Sequence, residues 1–160
     1  MHKIYSVFAL IFCLVTGFSA LAADSSTNPA PIAFKQESLT IKTVAGKTYP
    51  FTVEIADTKE KQELGLMHRT KLAEDHGMLF PFEEGRYVEM WMKDTLISLD
   101  MVFIDKTGKI ANIVPSTKPG STDIIAARPD ARAVLELASG VTAKLGIKAG
   151  DQVVSSYFKP

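Results

Sequence analysis

Apolar and polar residues alternate along several short stretches of the chain, which is typical of β-strands that bury one face. Residues 39–44 and 51–55 show this alternation, and Ala45-Gly46-Lys47 between them can turn the chain, so they predict a hairpin. Asp105-Lys106-Thr107-Gly108 is the clearest turn signal, because glycine readily takes the positive φ of a tight hairpin. Further apolar stretches predict six more strands, at residues 78–80, 87–92, 101–104, 110–114, 133–137 and 152–158.

Two short segments carry helix signals. Asp57 can cap a helix N-terminus, Glu60 three residues later can reach back to it, and Gly65 suits a left-handed end. A second, one-turn helix is predicted over residues 141–145, ended by Gly146. Many short strands with only two short helices predict a mainly β fold, a compact rolled β-sandwich or barrel.

The first 36 residues differ in composition from the rest. Lys3 precedes an almost wholly apolar stretch over residues 4–18, and small residues follow at 19–22. This order is typical of a secretory signal peptide. We therefore predict a signal peptide over 1–22, a flexible leader over 23–36 and a single domain over 37–160. The apolar stretch is shorter than the ~20 residues that span a bilayer. The expected location is periplasmic or secreted, without stable membrane insertion after cleavage.

Charge and cysteine content narrow the function classes. Lys and Arg total 18, as do Asp and Glu, without a basic run, so no nucleic-acid partner is expected. Cys13, the single cysteine, lies inside the predicted signal peptide, so the mature domain lacks thiol chemistry. Gly-rich phosphate loops and a Gly-x-Ser-x-Gly motif are absent from the sequence. These features favour a binding module over an enzyme, and no cofactor is predicted.

Five ordered sequence blocks resemble a known family. They are Gly65-Leu66-Met67-His68-Arg69, Gly77-Met78-Leu79-Phe80, and residues 91–101, 134–137 and 145–151. Together they closely resemble the DUF192 (UPF0127) family of small, often exported prokaryotic domains, over about residues 50–155. The resemblance implies a prokaryotic source and a mainly β domain of jelly-roll-like character. It supplies no activity and no catalytic residues.

The chain departs from the family pattern at single positions. Family members usually have an aromatic residue where this chain has His68, Asn where it has Asp94, and Pro where it has Ser98. Many also carry a Pro- and Cys-rich loop where this chain has residues 116–121. If that loop helps to bind a ligand, this protein binds it differently.

The segment Trp91-Met92-Lys93-Asp94-Thr95 is the best candidate for a ligand site. Alternation along a strand would place Trp91, Lys93 and Thr95 on one face. They could stack on a planar ligand or sugar ring and hydrogen-bond its hydroxyls, so a polar small molecule such as a glycan is the expected partner. Alternatively, Trp91 anchors the core, and Lys93 and Asp94 mark the end of the strand.

Arg69 follows the first predicted helix and is a further candidate for ligand binding, because its guanidinium can clamp an anion through two hydrogen bonds. The alternative is an ion pair with a nearby carboxylate such as Glu136 or Asp100.

Asp94 and Asp100 are weak candidates for a catalytic pair. They lie six positions apart, and hydrolysis of an envelope polysaccharide would need two such carboxylates at a controlled separation. Alternatively, Asp100 accepts backbone hydrogen bonds at a turn.

A third hypothesis concerns copper. Five methionines and two histidines fall within residues 67–101, and thioether and imidazole groups suit Cu(I). Methionines on apolar strands are ordinarily core residues. Core packing is therefore the favoured interpretation, and no metal site is predicted.

Overall fold

Nine strands and two short helices make up the part of the chain that the computed structural model describes, residues 31–82, 88–126 and 131–158. The predicted signal peptide and most of the predicted leader lie outside these residues. The elements are β1 (Lys35–Lys42), β2 (Thr48–Ile55), α1 (Lys59–Leu64), β3 (His76–Pro81), β4 (Glu89–Met90), β5 (Leu99–Asp105), β6 (Ile110–Val114), β7 (Ile125–Ala126), β8 (Ala131–Ala138), α2 (Val141–Leu145) and β9 (Gln152–Val154). Within the described residues, no helix is long and apolar enough to cross a bilayer.

Seven strands form one sheet in the order β6-β5-β8-β3-β2-β1-β9. All neighbours in it are antiparallel except β2 and β3, which run parallel and are joined through α1. The two ends of the sheet meet, because Ile110 N–H donates to the Asp151 carbonyl at 2.8 Å and Val153 N–H to the Gly108 carbonyl at 2.7 Å. The sheet is thus a nearly closed barrel, and the predicted mainly β, rolled fold with two short helices is confirmed.

The predicted hairpins are present. β1 pairs antiparallel with β2 from Lys35 opposite Ile55 to Lys42 opposite Thr48. β1 therefore begins two residues before the predicted start of the domain at residue 37, because its first residues are also paired. β5 pairs with β6 around the predicted turn, where Gly108 has a φ of 81°.

The two helices begin and end close to their predicted limits. The cap of α1 is Thr58 and not Asp57: Thr58 Oγ1 accepts the Lys61 backbone N–H at 3.3 Å, while Asp57 pairs with the Lys61 ammonium at 2.7 Å. Gly65 ends α1 with a φ of 47° and a ψ of −134°, which is positive in φ but outside the left-handed helical region. Gly146 ends α2 in the left-handed region, as predicted.

Apolar side chains pack on both faces of the barrel wall. The interior layer comprises Leu39, Ile41, Phe51, Val53, Ile55, Leu79, Val102, Ile104, Ile110, Ala133, Leu135, Leu137, Val141, Ile147, Val153 and Phe158. The outer layer comprises Ala56, Leu66, Met78, Phe80, Val88, Met92, Leu99, Met101, Phe103, Ala131 and Val134. The outer layer is covered by the segments that follow α1 and β4, so both faces of β3, β5 and β8 are buried.

Two predicted strands are shorter than expected. Of the strand predicted over 87–92, only β4 is a strand among the described residues, and Tyr87 lies outside them. The chain turns soon afterwards, since Thr95 N–H donates to the Met92 carbonyl at 3.1 Å and Asp94 has a φ of 54°. The last strand stops at Val154 because a turn follows, closed by a Phe158 N–H bond to the Ser155 carbonyl.

Candidate functional site

A cavity of about 250 Å³ lies beside α1 and the segment that follows β4. We call it the Glu136 cavity. It is lined by Lys59, Gln62, Glu63, Leu64, Gly65, Leu66, Met67, Phe80, Phe82, Glu89, Met90, Trp91, Thr95 and Glu136. This volume is just below the ~300–1,000 Å³ of pockets that hold drug-sized ligands. The cavity therefore suits a smaller molecule.

Glu136 is the buried polar residue of this cavity. It lies on β8 opposite Met78 of β3 and Met101 of β5, and both methionines are fully buried. Glu136 itself is only 4% exposed, and its carboxyl group makes no hydrogen bond or ion pair with any described residue. Burial raises the pKa of Glu136 to about 8. The carboxyl group is therefore held mostly uncharged at neutral pH.

The position of Glu136 follows from the alternation along β8. Ala133, Leu135 and Leu137 belong to the interior layer and Val134 to the outer layer, so Glu136 also faces the outer layer. An apolar side chain would complete that layer without any desolvation cost. A carboxyl group at this position borders the cavity instead.

Aromatic side chains form much of the remaining wall. Phe80 is buried, Phe82 is partly buried, and Trp91 is 50% exposed although it lines the cavity. The segment that carries Trp91 is fixed on both sides, because Met90 pairs with Ile125 and Met92 N–H donates to the Ser121 carbonyl at 2.9 Å. Trp91 is thus placed where it can contact both solvent and a molecule in the cavity.

The charged groups of the lining, apart from Glu136, are exposed. Lys59 and Glu63 lie one turn apart on α1 with their charged atoms 3.8 Å apart, and their side chains are 84% and 65% exposed. Glu89 on β4 is exposed as well. The lining thus combines exposed charges with one buried carboxyl group and an apolar, aromatic wall.

The predicted ligand residues separate into two groups. Trp91 and Thr95 line the Glu136 cavity, whereas Lys93 and Asp94 do not line it and are exposed at the turn. The predicted shared face of Trp91, Lys93 and Thr95 is wrong in its geometry, because the strand ends at Met90 and strand alternation does not continue. Thr95 is buried, and its hydroxyl group donates to the Lys93 carbonyl at 3.3 Å.

Arg69 lies outside this cavity. Its two terminal nitrogens donate to both carboxylate oxygens of Glu54, at 3.1 and 2.6 Å. The predicted ion pair of Arg69 with a nearby carboxylate is therefore confirmed, but the partner is Glu54 and not Glu136 or Asp100. The guanidinium group therefore uses both terminal nitrogens to bind Glu54, so these donors are not free to bind an anionic ligand in the same way.

Asp100 is a buried acceptor in the framework. Its side chain accepts hydrogen bonds from the backbone N–H groups of Ser116, Gly140 and Thr142 and from the Thr142 hydroxyl group, at 2.7–3.1 Å. Burial opposes ionisation, yet these hydrogen bonds outweigh it and lower the pKa of Asp100. Asp100 is fully buried while Asp94 is exposed, and neither lines the Glu136 cavity. This arrangement gives the paired-carboxylate hypothesis no support.

The methionines of the copper hypothesis divide between core and cavity. Met78, Met92 and Met101 are buried in the outer layer, whereas Met67 and Met90 line the cavity. In the described part of the chain, no three His, Cys, Asp or Glu side chains cluster in a way that could hold a metal ion.

The family model of DUF192, described as an uncharacterized ACR family, matches residues 40–155, most of the described fold. This chain belongs to the DUF192 family. A search of curated proteins gives no match.

Two solved structures are similar to this DUF192 chain. One, from Sinorhizobium meliloti and named as a candidate transcription regulator, is 40% identical with a TM-score of 0.77 and is aligned over 79% of this chain and 98% of that one. Another, a protein of unknown function from Novosphingobium aromaticivorans, is 32% identical with a TM-score of 0.74, over 78% of this chain and 89% of that one. The similarity covers nearly the whole of both relatives.

Sequence reasoning considered Glu136 only as a partner for Arg69. One signal was available: Glu136 is the only charged residue within the apolar stretch 133–137. A lone carboxylate in such a stretch indicates a structural ion pair or a functional site. The position of Arg69 excludes that one ion pair.

Proposed function

We propose that this chain is an exported small-ligand binding module, and that its ligand occupies the Glu136 cavity beside Trp91. Export is proposed from the signal-like order of residues 1–22, and no activity is proposed. The observation that carries the binding proposal is the juxtaposition of a buried carboxyl group without a described partner and a half-exposed tryptophan in one cavity. Ligand sites in proteins commonly combine an apolar wall with a few polar groups that orient the ligand.

The lining favours a ligand with an apolar body and one polar or charged end. Half of the lining residues are Leu, Met, Phe or Trp, and one buried carboxyl group offers the strongest polar contact. A glycan would present many hydroxyl groups that need partners. We therefore favour a less polar molecule over the glycan expected from sequence, and both classes belong in the test.

Other functions have weaker support. The hydrolase hypothesis needs Asp94 and Asp100 together, and Asp100 is occupied by hydrogen bonds from the framework. A DNA-binding role, which the name of the Sinorhizobium relative would suggest, is not favoured for this chain, because its acidic and basic residues balance at 18 each without a basic run.

A fragment screen followed by NMR tests the binding proposal. The library contains monosaccharides, amines, carboxylic acids and neutral apolar fragments, and backbone amide shifts are recorded on the mature domain. We expect binders to shift residues 64–67 and 89–95 together. Met67→Trp should fill the cavity and abolish these shifts, while Lys93→Ala, an exposed residue outside the lining, should preserve them.

The proposal fails if no fragment shifts these residues, or if Met67→Trp keeps its folded spectrum and still shows the same shifts. Spectral dispersion of each variant confirms that it is folded before binding is compared.

A further inference from the structure

The charged residues that line the Glu136 cavity indicate the charge of its ligand. Within the described lining residues there are three carboxyl groups, on Glu63, Glu89 and Glu136, and one ammonium group, on Lys59. Lys59 is already beside Glu63 and is exposed, so it does not act as the counter-ion of Glu136. Where Glu136 is ionised, negative charges outnumber positive ones in this lining, and such an excess concentrates ligands of the opposite sign.

The aromatic residues favour the same class of ligand. Phe80, Phe82 and Trp91 all line the cavity that Glu136 borders. Cations are attracted to the faces of aromatic rings, and this attraction is stronger where water is excluded. Sites that combine several aromatic rings with a carboxylate recognise alkylated ammonium groups.

We propose that the ligand of the Glu136 cavity is a small organic cation, whose ammonium group lies between the Glu136 carboxylate and the aromatic wall of Phe80, Phe82 and Trp91. This inference rests on the proposed function and names the ligand class for the same site. A cation would pair with a carboxyl group that is buried between Met78 and Met101 and that has no partner among the described residues.

Inorganic cations fit the cavity less well. A hard metal ion needs several oxygen ligands around it. The described residues contain no cluster of three His, Cys, Asp or Glu side chains placed to hold a metal, so Glu136 would act as a single ligand on a largely apolar wall. An alkylammonium group, with its apolar surface and diffuse charge, matches this lining.

Binding of such a cation should depend on pH. A permanent cation favours the ionised form of Glu136, whereas burial raises the pKa of this residue to about 8 and so favours the protonated form. Affinity should therefore rise as the pH approaches 8 and then level off. Among the residues that the structure describes, the other titratable groups that line the cavity are Lys59 and Glu63 from α1 and Glu89 from β4, all exposed.

A matched pair of ligands separates charge from shape. Choline and 3,3-dimethyl-1-butanol have nearly the same shape, and only choline carries a charge. Titration calorimetry on the mature domain at pH 8 should show choline, or a smaller cation such as tetramethylammonium, binding at least ~10-fold more tightly than the neutral alcohol.

Single substitutions show which residues cause the preference for the cation over the neutral alcohol. Glu136→Gln should reduce the preference for the cation to about twofold or less, and Phe82→Leu should weaken cation binding while the carboxylate is kept. Asp94→Asn, at an exposed position outside the lining, should change affinity by less than about threefold. A lysine-containing peptide, tested beside the free cations, shows whether the ammonium group comes from a small molecule or from a protein side chain.

These experiments test separately whether the ligand is a cation and whether the cavity binds a small ligand at all. Equal binding of choline and its neutral analogue, or an unchanged preference in a folded Glu136→Gln variant, overturns the cation inference while leaving a small-ligand site. Absence of cation binding together with fragment shifts at the cavity also overturns it. Absence of both kinds of binding overturns the proposed function itself.

Discussion

Asp100 Oδ2 accepts hydrogen bonds from both the backbone N–H and the hydroxyl group of Thr142, at 3.0 and 2.7 Å, across 42 positions of the chain. Its other oxygen accepts the N–H groups of Ser116 and Gly140. One buried side chain therefore joins β5 to the loop after β6 and to the first turn of α2. Asp100, the second residue of β5, thus connects three parts of the fold through hydrogen bonds.

Asp100→Asn should destabilise the domain by about 2–4 kcal/mol, because an amide nitrogen cannot accept the two Thr142 bonds and leaves buried donors unsatisfied. Chemical denaturation measures the change. Asp94→Asn is the matched control: Asp94 is exposed with a φ of 54°, and Asn tolerates that backbone conformation well, so stability should stay within about 0.5 kcal/mol. Equal effects of the two substitutions would contradict the assigned role of Asp100.

Glu136 should make the domain less stable as the pH rises from about 4.5 to 8. The folded state keeps the proton up to a pKa of about 8, whereas the unfolded chain releases it near 4.5. Between these values the unfolded state binds fewer protons, so its free energy falls relative to that of the folded state. At ~1.4 kcal/mol for each pH unit, the loss is on the order of 5 kcal/mol.

The difference in unfolding free energy between Glu136→Gln and the native chain isolates this effect from other titrating groups. As the pH rises from about 4.5 to 8, the variant should become increasingly stable relative to the native chain. A difference for Glu136→Gln that stays constant with pH would show that the carboxyl group is not held uncharged.

Gly77 permits the close approach of β3 and β8 beneath the cavity. A Cβ added there would lie 2.6 Å from the Glu136 carbonyl oxygen and 2.9 Å from a Leu137 methyl carbon. Gly77→Ala should therefore cost about 3 kcal/mol, because the backbone oxygen cannot move away without disturbing the strand pairing.

Gly46→Ala separates this steric effect from a conformational one. Gly46 has a φ of 83° and open space around it. Gly46→Ala should therefore cost about 1 kcal/mol of stability, which arises from the strained backbone conformation alone. Thermal unfolding compares the two variants. If Gly77→Ala were no more destabilising than Gly46→Ala, the two strands would have more freedom to separate than their spacing indicates.

Local signals predicted much of the fold. The turn at Gly108, the end of α2 at Gly146 and the hairpin of β1 and β2 each depend on residues close together in sequence. The parallel pairing of β2 with β3 and the short pairing of β4 with β7 were not predicted. The local sequence of each of these strands does not indicate which other strand it pairs with.

The candidate site was predicted only in part. Trp91 and Thr95 were expected to contact a ligand and do line the cavity, but Lys93 was placed with them by a strand alternation that ends at Met90. The position of Glu136 depends on which face of β8 is covered and by what. That information resides in the tertiary packing of α1 and the segment after β4, which no local pattern specifies.

Contact between the Glu136 carboxyl group and the ligand is tested most directly by the carbon-13 chemical shift of that carboxyl group, followed over pH with and without a saturating small cation. We predict a titration midpoint of about 8 in the empty domain and a clearly lower midpoint with the cation bound. A midpoint near 4.5 in the empty domain, or one that no ligand changes, would contradict the account.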